Sequence, residues 1–246
     1  MNLETQPRSR LIVALDFDSL SPALRFAEKT ADLVGVFKIG SQLFTAEGPG
    51  VIAKIAALGV GIFLDLKFHD IPNTVAGAVL AATGLPGVQL INVHALGGRA
   101  MLEAAAQAIH AAQPLDADRP RLLAVTLLTS LNQKAMRDVG ISGSSRERTV
   151  KLARLARTAG VDGVVASVQE TRAIRKACGR DFLIATPGVR PKEAGAHRAR
   201  DDQARTATPS EAIRAGADYI IVGRPILAAA DPRAAAQAIL QEIENA

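Results

Sequence analysis

Two aspartates and a lysine stand close together at the end of an apolar run in this 246-residue chain. The run begins at Gly61, and Asp65, Lys67 and Asp70 all precede the break at Pro72. Charges at the end of a buried strand are costly to desolvate unless they pair with opposite charges. The pattern therefore indicates either a structural salt bridge at a strand terminus or a charged group assembled for chemistry.

The geometry of a strand predicts where these side chains point. Successive side chains alternate between the two faces, so Asp65 and Lys67 share one face. The opposite face carries the apolar side chains of Leu64, Leu66 and Phe68. Asp70 lies beyond the strand proper, where the alternation no longer fixes its direction. We therefore expect Asp65 and Lys67 side by side, with Asp70 free to reach elsewhere.

An alternating set of ammonium and carboxylate groups suits the stabilisation of a carbanion. Lys38, on the preceding predicted strand, would complete a set with Asp65, Lys67 and Asp70 whose net charge is zero, which lowers the cost of burial. Flanking carboxylates favour a protonated lysine, whereas a Schiff base needs a neutral one. A protonated lysine can stabilise developing negative charge and then donate a proton. No cofactor motif offers an electron sink, so electrostatics would have to carry the chemistry without a cofactor, and decarboxylation fits this arrangement.

The composition is that of a globular protein with a sizeable core, at 48% hydrophobic and 22% charged residues. No apolar run approaches the ~20 residues of a membrane span, and the first ten residues have no apolar signal-peptide core. A single cysteine, Cys178, excludes an internal disulfide, so we expect a cytoplasmic protein. The net charge of +5 could suit nucleic acid, but 3% aromatic residues and no tryptophan leave few stacking platforms. A small anionic substrate explains the charge better.

Eight short apolar runs alternate with helical segments along the chain. They cover residues 11–17, 36–40, the run from Gly61, 88–94, 121–128, 163–167, 182–186 and 219–223. Continuously apolar strands indicate a parallel sheet covered by helices, and eight such units predict a single-domain (β/α)8 TIM barrel over residues 1–246. The first helix is expected to have Pro22 as its first residue, and one helix should span residues 50–58.

Polar residues follow most of the predicted strands, where barrel enzymes carry their chemistry. They are Asp16, Lys38, Asp65, Lys67, His94, Thr129, Ser130, Pro187, Arg190, Gly223 and Arg224. Loops after the seventh and eighth strands often bind phosphate, because glycine allows close backbone approach and arginine adds charge-assisted hydrogen bonds. We therefore predict a phosphate site at residues 187–190 and 223–224. The polar residues 190–208, with Gln203 and Arg205 near their end, are predicted to form a lid.

In this order, the motifs resemble those of the orotidine 5′-phosphate decarboxylases of bacterial type. The similarity extends from Asp16 to Arg224, and its most specific part is Asp65-x-Lys67-x-x-Asp70-Ile71-Pro72-Asn73-Thr74. The resemblance implies conversion of orotidine 5′-monophosphate to uridine 5′-monophosphate, the last step of de novo pyrimidine nucleotide synthesis. It implies catalytic roles for Lys67, Asp65, Asp70 and Lys38. It further implies substrate contacts from Asp16 and Lys38 at the ribose, Thr129 and Ser130 at the pyrimidine, and Pro187, Arg190, Gln203, Gly223 and Arg224 at the pyrimidine side and phosphate.

The resemblance also implies a homodimer whose active sites are shared. Asp70 and Thr74 would enter the partner's site, and Ile71 and Thr74 would contact the substrate, whereas the fourth-strand motif from Asn92 to Ala95 would be scaffolding. The resemblance implies no metal ion. Two alternatives remain open. The related sugar-phosphate decarboxylases, of the 3-keto-gulonate 6-phosphate type, share the Asp-x-Lys-x-x-Asp pattern but use magnesium and a glutamate on the second strand, where this chain has Lys38. The other alternative is a non-catalytic phosphate-binding barrel; neither a nucleic-acid nor a membrane partner is expected.

Overall fold

The computed structural model describes residues 6–112, 119–191 and 206–246, in which eight parallel strands close into a barrel. The strands follow chain order around the barrel, and β8 pairs with β1. They are Leu11–Ala14 (β1), Val36–Gly40 (β2), Gly61–Phe68 (β3), Val88–His94 (β4), Arg121–Val125 (β5), Gly163–Val165 (β6), Leu183–Thr186 (β7) and Tyr219–Val222 (β8). Each strand coincides with one of the eight apolar runs, so the predicted (β/α)8 barrel is confirmed.

Helices connect the strands and cover the outside of the barrel. The α-helices are Leu20–Thr30 (α1), Ser41–Glu47 (α2), Gly50–Ala56 (α3), Pro72–Thr83 (α4), Gly98–Ala112 (α5), Gln133–Asp138 (α6), Ser145–Thr158 (α7), Val168–Cys178 (α8), Pro209–Ala215 (α9), Arg224–Leu227 (α10) and Pro232–Glu244 (α11). Short 3-10 helices lie at Pro7–Arg10 and Ala95–Gly97. None of the helices in the described parts of the chain is long and apolar enough to cross a membrane.

The apolar side chains form two layers because the strands present alternate residues to the barrel interior and to the helices. The interior layer comprises Ile12, Val36, Phe63, Leu90, Leu123, Ala185, Tyr219 and Ile221. The neighbours of these residues along each strand, such as Leu11, Phe37 and Leu64, pack in the larger layer beneath the helices. Leu66 and Phe68 also pack against that outer layer, as the alternation predicts for one face of β3.

The start of one helix was predicted wrongly, and the helices α2, α6, α9 and α10 were not predicted. Helix α1 begins at Leu20, so Pro22 is its third residue; proline is tolerated there because N–H groups of the first turn have no intrahelical partner. The helix expected over residues 50–58 is α3, which ends at Ala56; α2 precedes it and is separated from it by Gly48, with φ of 66°, and Pro49. Helix α9 follows a capping box at Thr208 that ends the polar stretch.

Several strands are shorter than their apolar runs. β1 ends at Ala14 instead of residue 17, β5 at Val125 instead of residue 128, and β6 at Val165 instead of residue 167. The residues that follow lie at the carboxyl rim of the barrel, where Leu127, Leu128 and Ala166 line a cavity. Apolar residues at these strand ends therefore belong to a site as well as to the core.

A buried ion pair joins the opposite, amino-terminal ends of β5 and β6. Arg119 donates two hydrogen bonds to the Asp162 carboxylate, at 2.8 and 2.6 Å, and its side chain is only 3% exposed. Asp162 Oδ2 also accepts a hydrogen bond from the Leu122 backbone N–H at 2.7 Å. The carboxylate therefore neutralises the buried Arg119 guanidinium and also accepts a hydrogen bond from the backbone N–H of Leu122, so few other side chains could take its place.

Replacing Asp162 with alanine is expected to lower the free energy of unfolding by about 3–5 kcal/mol, because the buried Arg119 guanidinium would lose two charge-assisted hydrogen bonds and the opposite charge of this carboxylate. Urea unfolding measures the loss. Asp138→Ala is the matched control, since it breaks an exposed ion pair with Lys134 and should cost less than about 0.5 kcal/mol. Equal losses in the two variants would show that Asp162 contributes no more than a surface charge.

Candidate active site

A cavity of about 400 Å³ opens at the carboxyl rim of the barrel. The predicted site residues that line it are Asp16, Lys38, Asp65, Lys67, Thr129, Ser130, Pro187, Arg190, Gly223 and Arg224. They come from the ends of β1, β2, β3, β5, β7 and β8, so residues distant in sequence meet because parallel strands present their carboxyl ends on one side. The barrel thus brings most of the predicted residues into a single site.

Four charged side chains form a continuous chain along one wall of the cavity. Lys38 Nζ lies 3.4 Å from Asp16 Oδ1 and 3.1 Å from Asp65 Oδ2. The other oxygen, Asp65 Oδ1, accepts a hydrogen bond from Lys67 Nζ at 2.7 Å. Asp65 is thus held between two ammonium groups, while the side chains at the two ends of the chain, Lys67 and Asp16, are more exposed and line the cavity.

The two inner groups of this chain keep their charges although they are buried. Burial acts to raise the pKa of Asp65, but the charges of Lys38 and Lys67 outweigh it and hold that pKa below its ordinary value. Burial acts to lower the pKa of Lys38, and Asp65 and Asp16 outweigh it, so that pKa is raised. Asp65 and Lys38 are therefore both charged near neutral pH.

Asp70, Ile71 and Thr74 lie apart from the cavity of their own chain. Asp70 accepts a hydrogen bond from the adjacent Ile71 N–H at 2.6 Å, and all three side chains are exposed around the start of α4. Within one chain, the second carboxylate of the charged array is therefore Asp16, which contacts Lys38. The sequence had suggested Asp70 as that second carboxylate. Gln203 and the greater part of the predicted lid lie outside the described residues.

The loops after β7 and β8 also line the cavity, and Gly223 lies next to Asp16. Gly188 has φ of 77°, a conformation that favours glycine, and the next residue, Val189, forms a bridge with Ala207. The Arg190 N–H donates to Ala207 O at 2.8 Å, so Arg190 is anchored where the chain returns toward β8. Gly223 precedes α10, whose first residue is Arg224. Both glycine–arginine loops thus border the cavity, as predicted for a phosphate site.

Sequence reasoning missed the apolar floor of the cavity and the role of Asn92. Phe63, Val125, Val165 and Ile221 line the cavity from within the barrel, and strand alternation would have identified them. Asn92 is fully buried on β4; its Oδ1 accepts from the Lys67 backbone N–H at 2.7 Å, and its Nδ2 donates to Asp65 Oδ1 at 2.6 Å. The sequence feature that could have indicated this role is a side-chain amide inside an otherwise apolar run.

His94, at the end of β4, is part of the scaffold beside this site. Its Nδ1 accepts from the Leu96 N–H at 3.3 Å, and its ring stacks on His69 with the centroids 5.2 Å apart. Burial, with smaller effects from His69 and Lys67, lowers the pKa of His94 to about 4. The ring is therefore neutral when the protein is folded at neutral pH.

This lowered pKa predicts a specific loss of stability in acid. Between about pH 6.5 and pH 4 the unfolded chain binds a proton at His94 that the folded chain does not, so acidification through that window favours unfolding. His94→Asn keeps an acceptor for the Leu96 N–H but does not titrate, and its urea midpoint should fall less steeply across the window. His110→Asn, at an exposed position in α5, should keep the slope of the parent. Equal slopes for the parent and His94→Asn would contradict the prediction.

The fold and the cavity together define a (β/α)8-barrel protein whose candidate site combines a buried lysine–aspartate array with two glycine–arginine loops. Comparisons with known proteins agree. Residues 9–239 match the Orotidine 5'-phosphate decarboxylase / HUMPS family. The chain is 52% identical over 238 residues to the orotidine 5'-phosphate decarboxylase of Trichlorobacter lovleyi, covering 97% of this chain and 96% of that protein. The chain therefore belongs to the orotidine 5'-phosphate decarboxylase / HUMPS family.

Solved structures share the fold over nearly the whole chain. The crystal structure of orotidine 5'-phosphate decarboxylase from Lactobacillus acidophilus is 38% identical, with a TM-score of 0.79, and the match covers 95% of this chain and 98% of that one. An uncharacterized conserved protein from Geobacillus kaustophilus is 37% identical, with a TM-score of 0.80, and the match covers 95% and 99% of the two chains. The barrel with its connecting helices is therefore common to these proteins.

Proposed function

We propose that this protein decarboxylates orotidine 5′-monophosphate to uridine 5′-monophosphate and CO2, as a carboxy-lyase that needs neither metal nor organic cofactor. The observation that carries the proposal is the contact of 2.7 Å between Lys67 Nζ and Asp65 Oδ1 at the edge of a cavity lined by two glycine–arginine loops. Membership of the family and the names of its 52%-identical relatives support the same substrate.

The charged array accounts for the chemistry of this reaction. The bond between the pyrimidine ring carbon and its carboxylate breaks, CO2 leaves, and the electron pair stays on the ring carbon. The Lys67 ammonium lies where it can stabilise that negative charge and then transfer a proton from Nζ to the carbon. Asp65 holds the ammonium in place, and Lys38 with Asp16 extends the array so that no buried charge lacks a partner.

The remaining cavity residues supply substrate binding in this proposal. Asp16 and Lys38 contact the ribose, and Thr129 and Ser130 contact the pyrimidine. Pro187, Arg190, Gly223 and Arg224, with Gln203, hold the pyrimidine side and the phosphate. Phosphate binding would use energy from a remote part of the substrate to order the site and exclude water, which raises the rate of the chemical step.

Replacing Arg224 with alanine is expected to lower kcat/KM for orotidine 5′-monophosphate by at least about 10²-fold, because charge-assisted hydrogen bonds to the phosphate are lost. The same change should barely affect the slow turnover of orotidine, which has no phosphate. Arg214→Ala, at an exposed position in α9, is the control and should alter neither rate. If both substrates lose activity equally in Arg224→Ala, the arginine has a structural role instead.

The proposal includes a homodimer with shared active sites. Helix α4 is largely apolar yet exposes Ile71, at its N-cap, to 66% and Leu80 to 51%, which leaves an apolar surface for a second copy to cover. Asp70 and Thr74 are exposed near the start of the same helix and do not line the cavity of their own chain, so they are free to complete the partner's site. We also propose a cytoplasmic location, which suits a chain whose one cysteine, Cys178, is buried and unpaired.

Lys38 distinguishes this proposal from the magnesium-dependent alternative. Its ammonium lies between Asp16 and Asp65, in the space that a cation bound to those carboxylates would occupy. The decisive experiment follows the loss of pyrimidine absorbance when orotidine 5′-monophosphate is added to untreated and chelator-treated protein. Equal turnover in both samples is expected. Strict dependence on magnesium would favour a sugar-phosphate decarboxylase, and no turnover in either sample would favour a non-catalytic barrel.

A further inference from the structure

Lys67 has a backbone conformation that lysine rarely adopts. Its φ is 52°, and it is the one non-glycine residue with positive φ in the parts of the chain that the structure describes. The left-handed region is unfavourable for a residue with a Cβ atom, because that atom approaches the following carbonyl oxygen. Such strain persists only where neighbouring groups over-determine the conformation.

The strain coincides with an irregularity in the pairing of β3 with β4. Leu64 is opposite Ile91 and Phe68 is opposite Val93, so three residues of β3 face the single residue Asn92. A bulge of this kind breaks the regular ladder and re-aims a side chain. Here it leaves the backbone N–H of Lys67 without its ordinary strand partner, and turns the Lys67 side chain into the cavity.

Asn92, on the neighbouring strand β4, supplies the missing contacts. Its Oδ1 accepts a hydrogen bond from the Lys67 N–H at 2.7 Å, and its Nδ2 donates to Asp65 Oδ1 at 2.6 Å. The orientation of the amide follows from the chemistry, because a backbone N–H can only donate and an ionised carboxylate can only accept. The same Asp65 oxygen also receives the Lys67 ammonium at 2.7 Å. One buried amide thus holds the backbone of the lysine and the carboxylate that orients its side chain.

We propose that Asn92 is a positioning residue that keeps Lys67 in its left-handed conformation and thereby aims the ammonium into the cavity. The effect of Asn92 on catalysis depends on the function proposed above, in which Lys67 is the proton donor. Its effect on the backbone conformation of Lys67 does not depend on that function. The two can therefore be tested separately, and a failure of the proposed reaction would leave the conformational result intact.

The conformational test compares glycine and alanine at position 67. Glycine adopts positive φ readily and alanine does not, so Lys67→Gly should unfold at a higher urea concentration than Lys67→Ala. Both changes remove the ammonium, so the cost of losing its ion pair with Asp65 is the same in the two variants and does not affect the difference between their stabilities. When Asn92→Ala is added to each, the bulge is released, and the advantage of glycine should vanish or reverse because glycine costs more backbone entropy. An unchanged advantage would overturn the proposal.

Asn92→Asp separates the two contacts and covers the case in which Asn92→Ala fails to fold. An aspartate oxygen can still accept from the Lys67 N–H, so glycine at position 67 should keep its advantage over alanine in this background. The other oxygen faces Asp65 Oδ1 and can no longer donate to it when ionised. Loss of the glycine advantage in Asn92→Asp would show that the hydrogen bond to the Lys67 N–H does not hold the conformation.

The kinetic test asks whether the amide acts on the chemical step. Because a small misplacement of a catalytic group is costly, kcat for orotidine 5′-monophosphate should fall on the order of 10²-fold in Asn92→Ala, while the affinity for uridine 5′-monophosphate changes little. Thr171→Val is the matched control: it removes a fully buried hydroxyl that donates to the Ser167 carbonyl at the start of α8, and since neither residue lines the cavity the change should leave kcat unaltered. A kcat in Asn92→Ala equal to that of Thr171→Val would show that Asn92 does not position Lys67 for the chemical step.

Discussion

Replacing Lys67 with alanine is expected to lower turnover of orotidine 5′-monophosphate by at least about 10³-fold, because one change removes both the charge that faces the incipient carbanion and the proton donor. Lys67 Nζ contacts Asp65 at the edge of the cavity, and its side chain is 38% exposed. The variant should therefore fold and still bind the nucleotide. Stopped-time assays of product formation, with product affinity measured on the same samples, check both parts of the expectation.

Lys134→Ala is the matched control for this experiment. Lys134 also forms an ion pair with an aspartate, but the pair lies on the surface of α6, so its loss should leave turnover unaltered. Near-normal turnover in Lys67→Ala would refute the mechanism. A variant that loses affinity for the product by the same factor as turnover would place Lys67 in substrate binding and not in the chemical step.

Mixing two inactive variants should restore activity if the sites are shared between subunits. Asp70→Asn and Lys67→Ala proteins are each expected to be nearly inactive alone. After subunit exchange, a heterodimer contains one site with both changes and one with neither. Random exchange at equal concentrations should then restore about a quarter of the sites, under two-fold symmetry and with independent sites. The recovered rate per site is the measurement.

The control for this mixing experiment is the pair Lys38→Ala and Lys67→Ala. Both lysines line the cavity of the same chain, so every site of their heterodimer carries one change and no activity should return. Recovery in this control would mean that the cavity lysines, too, come from different subunits. If exchange is demonstrated and the Asp70→Asn mixture stays inactive, Asp70 acts within its own subunit or not at all.

The architecture was largely predictable because local patterns in the sequence specify it. Apolar runs of strand length separated by helical segments predict eight βα units, and continuously apolar strands require helices on the outside of a parallel sheet. The ends of those runs identified Asp16, Lys38, Asp65 and Lys67 as neighbours, and the cavity confirms that they meet. The break between α2 and α3 was less visible, because a helix boundary depends on a few turn residues and on packing.

The amino-acid sequence by itself determined the barrel, the rim on which the candidate site lies and most of the residues that line it. Only the tertiary structure decided how those residues are held. The left-handed Lys67, the bulge opposite Asn92 and the placement of Asp16 as the outer carboxylate all depend on the register between strands that are 20 or more residues apart in sequence. Periodicity along one strand reports which face a side chain occupies, but it carries no information on which residue of the next strand it meets, and hydrogen bonds across that register set the final geometry.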